Sequence, residues 1–374
     1  MNIDLSGLST PTQILDQVIN QAARTNASDI LIQPQEKEVL VRLRVDGMLS
    51  VFGQMPIGSY EQLLSRVKVL ANIDISESRK PQEGKIKLNI GSRDYVLRVA
   101  IITTNFGQMV TMRVLSLPEF TEFTSLGMNP ELIETVKKNI TGRYGLFLVC
   151  GPTGSGKTTT IHSCLKYLDT GELNIMTVED PIEYEVSGLN QIEVDYGIGM
   201  DFVSCLRTIL RLSPDVIFIG EIRDAETARV AIQASLTGHL VISTIHSRTS
   251  VGAIYRLLDL GVEKHILNYA LRGILSQRLL RKVCEHCRQP YAPTKSEIDF
   301  YSKEKGSPPL ALVHGTKCDF CRQTRYSGRV GIYELLEMND GVRDMLLTNP
   351  SESEFSAKLK DQGFKNMQQA GLDL

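Results

Sequence analysis

The sequence predicts an α/β protein built on a parallel sheet, and three observations predict it. From about residue 131, short aliphatic runs alternate with segments of helical periodicity, which is the pattern of strands joined by crossover helices. One such run, residues 145 to 150, leads directly into Gly151, Pro152, Thr153, Gly154, Ser155, Gly156, Lys157, Thr158 and Thr159, and then into a helical segment. The loop fits the phosphate-binding pattern GxxxxGK[ST] at Gly151, Gly156, Lys157 and Thr158. A third run, Asp215 to Gly220, is rich in β-branched residues and stops at the carboxylate of Glu221. A strand, a glycine loop and a helix N-terminus aim backbone N–H groups and the positive end of a helix dipole at a polyphosphate. The chain is therefore expected to bind a nucleoside triphosphate, with Lys157 reaching the β- and γ-phosphates and the Thr158 hydroxyl ligating Mg²⁺.

At 374 residues the chain is too long for one ordinary core, so two or three domains are expected. Hydrophobic residues at 42% and charged residues at 22% are those of a globular protein, and no apolar run approaches the roughly 20 residues a membrane helix needs. The first residues lack the basic start and apolar core of a signal peptide, which places the chain in the cytoplasm. A net charge of −2 gives no general electrostatic reason to bind nucleic acid. Seven cysteines in that compartment read as metal ligands or packing before disulfides.

In chain order, residues 10 to 26 read as an amphipathic helix on Ile14, Leu15, Val18, Ile19 and Ala22. Residues 27 to 34 and 39 to 47 read as strands, the second ending in an Asp-Gly turn. A helix over 59 to 72 and three β segments ending near 90, 102 and 115 complete a small α+β domain, 1 to 116. Residues 117 to 130 carry turn signals and are expected as a linker. In the second domain, 131 to 374, strands are expected at 145–150, 174–179, 216–220 and 240–245. Helices are expected at about 156–168, 201–212, 224–237 and 248–260, with a long one over 263–282 and two weaker ones near the C-terminus.

Four constellations carry chemistry. Glu221, at a strand end beside the phosphate loop, is placed to hold Mg²⁺ or its waters. The stretch Glu179, Asp180, Pro181, Ile182, Glu183 crowds three carboxylates at another strand end; it reads as a device to deprotonate an attacking water or as a solvated acidic loop. His239 opens the 240–245 strand and His246 closes it, and either one reads as a γ-phosphate sensor or as a hydrogen-bonded structural residue. Cys284, Cys287, Cys318 and Cys321 form two CxxC pairs with 30 residues between them, flanked by Arg281, Lys282, Arg288 and Arg322; they read as a closed Zn²⁺ site of four thiolates, with free buried cysteines or a redox pair as the alternatives. Cys150, Cys164, Cys205 and His162 lie in apolar surroundings and read as packing. Arg98 and Arg113 each interrupt an apolar strand, which by alternation alone sets them on the polar face of a sheet.

With these residues in hand, the chain resembles the type II secretion and type IV pilus motor ATPases. The resemblance covers nearly the whole chain, through the phosphate loop, the acidic box 177–184, Gly220 to Asp224, Leu236 to His246 and the run ending Gln277, Arg278, Leu279. It implies a RecA-like nucleotide domain preceded by a PAS-like domain, because 27–30 and 41–47 are similar to that family's small domain. It also implies that Glu183 is the catalytic carboxylate, that Glu221 serves Mg²⁺, and that Arg98 and Arg113 reach the nucleotide from the small domain. The implied cofactors are ATP, Mg²⁺ and Zn²⁺. The implied assembly is a homo-hexamer, peripheral at the inner membrane through a platform protein and pilus or secretion machinery. The tetracysteine insert points to the assembly branch rather than to retraction. A retraction or DNA-uptake pilus ATPase and a nucleotide-gated docking scaffold are the alternatives. Two departures stand out: Leu31 replaces the family's usual histidine after Ser28, Asp29 and Ile30, and the chain begins with the small domain without the further N-terminal docking domain of many assembly ATPases.

Overall fold

A Thr10 hydroxyl that accepts from the Gln13 N–H and a proline in the first turn start α1 (Pro11–Arg24), whose Ile14, Leu15, Val18, Ile19 and Ala22 are all buried. The computed structural model describes residues 3–5, 10–91, 93–116, 122–309 and 311–374, and it divides into two units, Met1–Glu119 and Phe120–Leu374. The first unit is α+β. After β1 (Ile3–Asp4) and α1 come β2 (Asp29–Pro34), β3 (Glu38–Val45), β4 (Met48–Pro56), α2 (Tyr60–Leu70), β5 (Gln82–Ile90), β6 (Arg93–Thr104) and β7 (Gly107–Ser116). They form a seven-stranded sheet in the order β1-β4-β3-β2-β7-β6-β5, antiparallel except for the β1–β4 pair. Its core joins Ile30, Leu43, Leu97, Val99 and Met112 from the strands to Leu15, Val18, Leu63 and Val67 from the helices.

Strand β4 was not expected. Asp46 and Gly47, both at positive φ (49° and 81°), turn β3 straight back into it. The register slips between Val41↔Gly53 and Arg42↔Val51, so the buried Phe52 is an extra residue that breaks the two-residue alternation by which a strand is recognised.

The second unit carries the parallel sheet. Its elements are α3 (Pro130–Ile140), β8 (Gly145–Cys150), α4 (Lys157–Leu168), β9 (Ile175–Glu179), β10 (Asn190–Glu193), α5 (Phe202–Ile209), β11 (Val216–Ile219), α6 (Ala225–Leu236), β12 (Leu240–Ile245) and α7 (Ser250–Asp259). There follow α8 (Lys264–Ala270), β13 (Leu271–Val283), β14 (Arg288–Tyr291), α9 (Lys295–Lys305), β15 (Leu312–Gly315), β16 (Tyr326–Glu337), α10 (Asp340–Leu347), α11 (Glu352–Asp361) and α12 (Met367–Gly371). The sheet order is β10-β9-β11-β12-β8-β13-β16, parallel throughout except for the β13–β16 pair. Along β8, Phe147 and Val149 pack with α3 and α4, whereas Leu146, Leu148 and Cys150 pack with α5, α6, α7 and α8 on the other face. Burial on both faces explains why these strands read as unbroken apolar runs.

The expected long helix over 263–282 is corrected to the short α8 followed by the thirteen-residue strand β13. Leu271, Ile274, Leu275 and Leu279 are spaced as on a helix, but β13 is buried on both faces and needs no alternation. A register shift between Leu271 and Gly273 also throws Arg272 out of phase, and its guanidinium donates to the carbonyls of Lys138, Asn139 and Tyr144 around the end of α3. In the described part of the stretch expected as a linker, Phe123 and Met128 are buried against α3 and α4. Residues 117 to 121 lie outside the described residues.

Candidate nucleotide site and metal centre

The C-terminal edge of the parallel strands gathers most of the expected nucleotide residues. Parallel pairing aligns Cys150 of β8 with Ile245 of β12, Ser243 with Ile219 of β11, and Ile219 with Val178 of β9. The phosphate loop, His246, Glu221 and the acidic box therefore emerge side by side, where ligands bind in open α/β sheets. The same alignment carries His239 to the opposite edge. It precedes Leu240, which pairs with Gly145 at the start of β8, and its ring nitrogen Nδ1 lies 3.0 Å from the Ala234 carbonyl at the end of α6. His239 thus holds the α6–β12 corner and is not brought to this chain's phosphate loop.

Gly151, Gly154 and Gly156 take φ of 154°, 76° and 88°, so the loop follows a path that side chains resist. A Cβ at Gly151 would stand 2.6 Å from the Gln277 carbonyl. Gln277, on β13, is fully buried and its Nε2 donates to the Ser155 carbonyl at 2.7 Å, strapping the loop to the sheet. Its Oε1 and the Ser155 hydroxyl are buried polar atoms without a hydrogen-bond partner among the described residues. Such atoms, with uncapped N–H groups in the first turn of α4, fit a polyphosphate. Pro152, Thr153 and Gly154 are exposed at the rim, and Thr158 and Thr159 are half-buried in that first turn. The Lys157 ammonium spans the loop, donating to the carbonyls of Gly151 (2.9 Å) and Pro152 (3.2 Å). Burial pushes its pKa down, against the opposing pull of Glu221 and Glu183, which puts both carboxylates within electrostatic reach of it.

The three acids of the acidic box part company. Glu179 is buried and accepts from Thr177 Oγ1 (2.7 Å) and Gln191 Nε2 (3.0 Å). Asp180 faces Arg223 Nη1 at 3.7 Å and Tyr196 OH at 3.4 Å. Glu183 is half-buried, and its charge raises the pKa of Lys157. Gln191 on β10 also donates to the Tyr184 carbonyl at 2.9 Å and accepts from the Val186 N–H at 2.7 Å, and Glu193 accepts from the Ile182 N–H at 3.0 Å. This short strand pins the loop that carries Glu183. Glu221, mostly buried, is gripped by Arg223 and faces His246 Nε2 at 3.4 Å. Thr158 and Glu221 offer the hard oxygen donors that suit Mg²⁺.

Cys284 and Cys287 follow β13, and Cys318 and Cys321 follow β15, so the tetracysteine segment is an excursion between β13 and its antiparallel partner β16. The sulfurs are free thiols, all within 4.8 Å of one another, at 3.8 Å (284–318), 3.9 Å (287–321) and 3.7 Å (318–321). Four sulfurs at about 2.3 Å from a tetrahedral Zn²⁺ stand about 3.8 Å apart, so the donor set and its spacing fit that ion. The other cysteines, Cys150, Cys164 and Cys205, are buried in the core, where burial pushes the Cys150 and Cys164 thiols up to about 12.

The family described as Type II/IV secretion system protein matches residues 5–374. Type II secretion system protein E of Pseudomonas aeruginosa is 40% identical over 352 residues, which are 94% of this chain and 70% of that protein. The chain belongs to the Type II/IV secretion system protein family. The Type IV pilus assembly ATPase PilB of Thermus thermophilus is likewise 40% identical over 366 residues, and there the matched part is 97% of this chain but 41% of the relative. Among solved structures, the pilus retraction motor PilT with bound ADP superposes with a TM-score of 0.63 at 28% identity, covering 95% of this chain and 90% of that one. The Legionella pneumophila ATPase DotB shares the fold at a TM-score of 0.72 and 22% identity, covering 99% and 94%. The second unit of this secretion-family chain is a RecA-like nucleotide domain.

Sequence reasoning about this family member missed Gln277, Gln191 and Arg223 as supports of the site. Gln277 stood inside an expected helix, and the four residues of β10 carry no periodic signal. Arg98 and Arg113, in the first unit, are direct cross-strand partners on β6 and β7. Among the described residues no helix is long and apolar enough to cross a membrane.

Proposed function

We propose that the chain hydrolyses ATP to power assembly of a type IV pilus or a type II secretion pseudopilus, working as a homo-hexameric ring held at the inner membrane by a platform protein. The observation that supports this most is Lys157 lying across the phosphate loop with Glu183 and Glu221 close enough to pull on its charge. Lys157 and the loop N–H groups bind the β- and γ-phosphates. Thr158 and Glu221 hold Mg²⁺, which when bound neutralises charge on the phosphoryl oxygens. Glu183 orients the attacking water and takes its proton, and His246 keeps Glu221 in position. Arg98 and Arg113 approach the γ-phosphoryl within the assembled ring and offset the charge that develops there, an effect worth about 10³ or more in other phosphoryl-transfer enzymes. Closing and reopening of the small domain around that step is the mechanical stroke. The four cysteines hold a structural Zn²⁺.

The relatives' names and the tetracysteine excursion favour assembly over retraction. Purified full-length chain in Mg-ATP is expected to release phosphate at a rate per chain that rises with protein concentration and levels off as rings saturate. No phosphate release at any concentration would point to a nucleotide-gated scaffold instead.

A further inference from the structure

In the first unit, five neighbouring strands carry a row of charge. The register pairs Arg44 of β3 with Asp29 of β2, Asp29 with Arg113 of β7, Arg113 with Arg98 of β6, and Arg98 with Lys85 of β5. Direct cross-strand partners share a face, and the intervening residues Leu43, Ile30, Met112, Leu97 and Ile86 are buried in the core, so the row lies on the face turned away from that core. Strands about 4.8 Å apart bring these cations close together, and like charges directly opposite each other cost free energy. One anion stands in the row, and it is the least exposed side chain of the ion pairs it makes. Asp29 Oδ1 accepts from Arg113 Nε at 3.3 Å, Oδ2 forms an ion pair with Arg44 Nε at 3.3 Å, and Ser28 Oγ donates to Oδ2 at 2.8 Å. The Asp29 side chain is 12% exposed, against 56% for Arg113.

We infer that Asp29 is a positioning residue for phosphoryl transfer, setting the guanidinium of Arg113 so that its outer edge faces phosphate. The inference rests on the assignment of Arg113 to the γ-phosphoryl under the proposed function. A guanidinium is a rigid fork. When its Nε–H lies against a carboxylate, the Nη1 and Nη2 edge faces away from that carboxylate and presents two parallel N–H groups at the spacing of two phosphate oxygens. Without Asp29 the arginine keeps its charge and loses that orientation, and Arg44 and Arg98 push it from both sides. The cost falls on the step in which charge develops, whereas nucleotide affinity is set by the phosphate loop of the other unit.

The experiment compares parent, Asp29→Asn, Arg113→Ala and the double variant as full-length chains, recording kcat and KM for Mg-ATP, ring assembly and melting. Asp29→Asn is expected to lower kcat about tenfold with KM, assembly and melting close to parent, and to lower it no further in the Arg113→Ala background. Asp29→Glu, which restores a carboxylate, recovers most of the loss. An equal further drop from Asp29→Asn in the Arg113→Ala background overturns the inference, as does parent kcat for Asp29→Asn while Arg113→Ala is impaired. Parent kcat for Arg113→Ala removes the arginine assignment itself. Should Asp29→Asn melt early, the Arg113 Nε–H resonance decides: slow solvent exchange in the parent that Asp29→Glu retains supports the splint, and exchange as fast as in a free arginine sinks it.

Discussion

His162 shows how a single residue beside the site can be read from burial alone. It lies on α4, is 4% exposed, and stands edge-on to Tyr184 of the acidic box with ring centroids 5.3 Å apart. Burial pushes its pKa from the model-peptide value of 6.5 down to about 4, so the folded chain holds it neutral. Between those values the unfolded chain binds the extra proton, hence stability is full above about pH 6.5 and is lost progressively as pH falls towards 4. A shift of that size corresponds to about 3 kcal/mol once the proton is fully taken up on unfolding. Denaturant midpoints of the parent are expected to fall between pH 7 and 4.5 by more than those of His162→Phe. Parallel curves for the two proteins would show that His162 titrates as it does in water. The sequence already placed His162 in packing, because its neighbours on α4 are apolar. The resemblance included Gln277, but nothing in the sequence gave it a role beside the phosphate loop, because its partner is a loop carbonyl 122 positions away.

At the scale of elements, β8, β9, β11 and β12 were legible because each is a short apolar run that stops at a chemically distinctive residue: Gly151, the Glu179 cluster, Glu221 and His246. Strands β13 and β16 were not. The register shift near Arg272 gives β13 the spacing of a helix, and β16 buries Gly331, Ile332, Tyr333 and Glu334 in succession and so shows no alternation. The cysteine pairs were legible as a cluster able to hold a metal, yet their place between β13 and β16 was not, since it follows from a pairing that no local pattern encodes. That place has a consequence. Val283 of β13 pairs with Tyr326 of β16 immediately beside Cys284, so an ion held by the four cysteines would close the open end of the hairpin. Freshly purified chain is expected to carry one zinc by elemental analysis, and Cys284→Ser to lose the ion and lower the melting temperature of the second unit. Less than about half an equivalent of zinc, or unchanged melting of the variant, contradicts the closed site.

For the whole molecule, the sequence identified both layers of the second unit and the α+β character of the first, because composition and periodicity change near residue 131. The residues alone left the three adjacent acids open and only the resemblance pointed to Glu183; the folded chain gives the three different neighbours. Glu179 is consumed by Thr177 and Gln191, Asp180 faces Arg223 and Tyr196, and the charge of Glu183 acts on Lys157. In the proposed mechanism Glu183 is the base, and the phosphate loop binds ATP independently of it. The most direct measurement sets ATP binding beside ATP hydrolysis in Glu183→Gln, a change that keeps the side chain's shape and removes its basicity. Glu183→Gln is expected to keep parent-like affinity for ATP while phosphate release falls by about 10² or more. Hydrolysis at the parent rate would contradict it, and the acidic box would then be a structural loop.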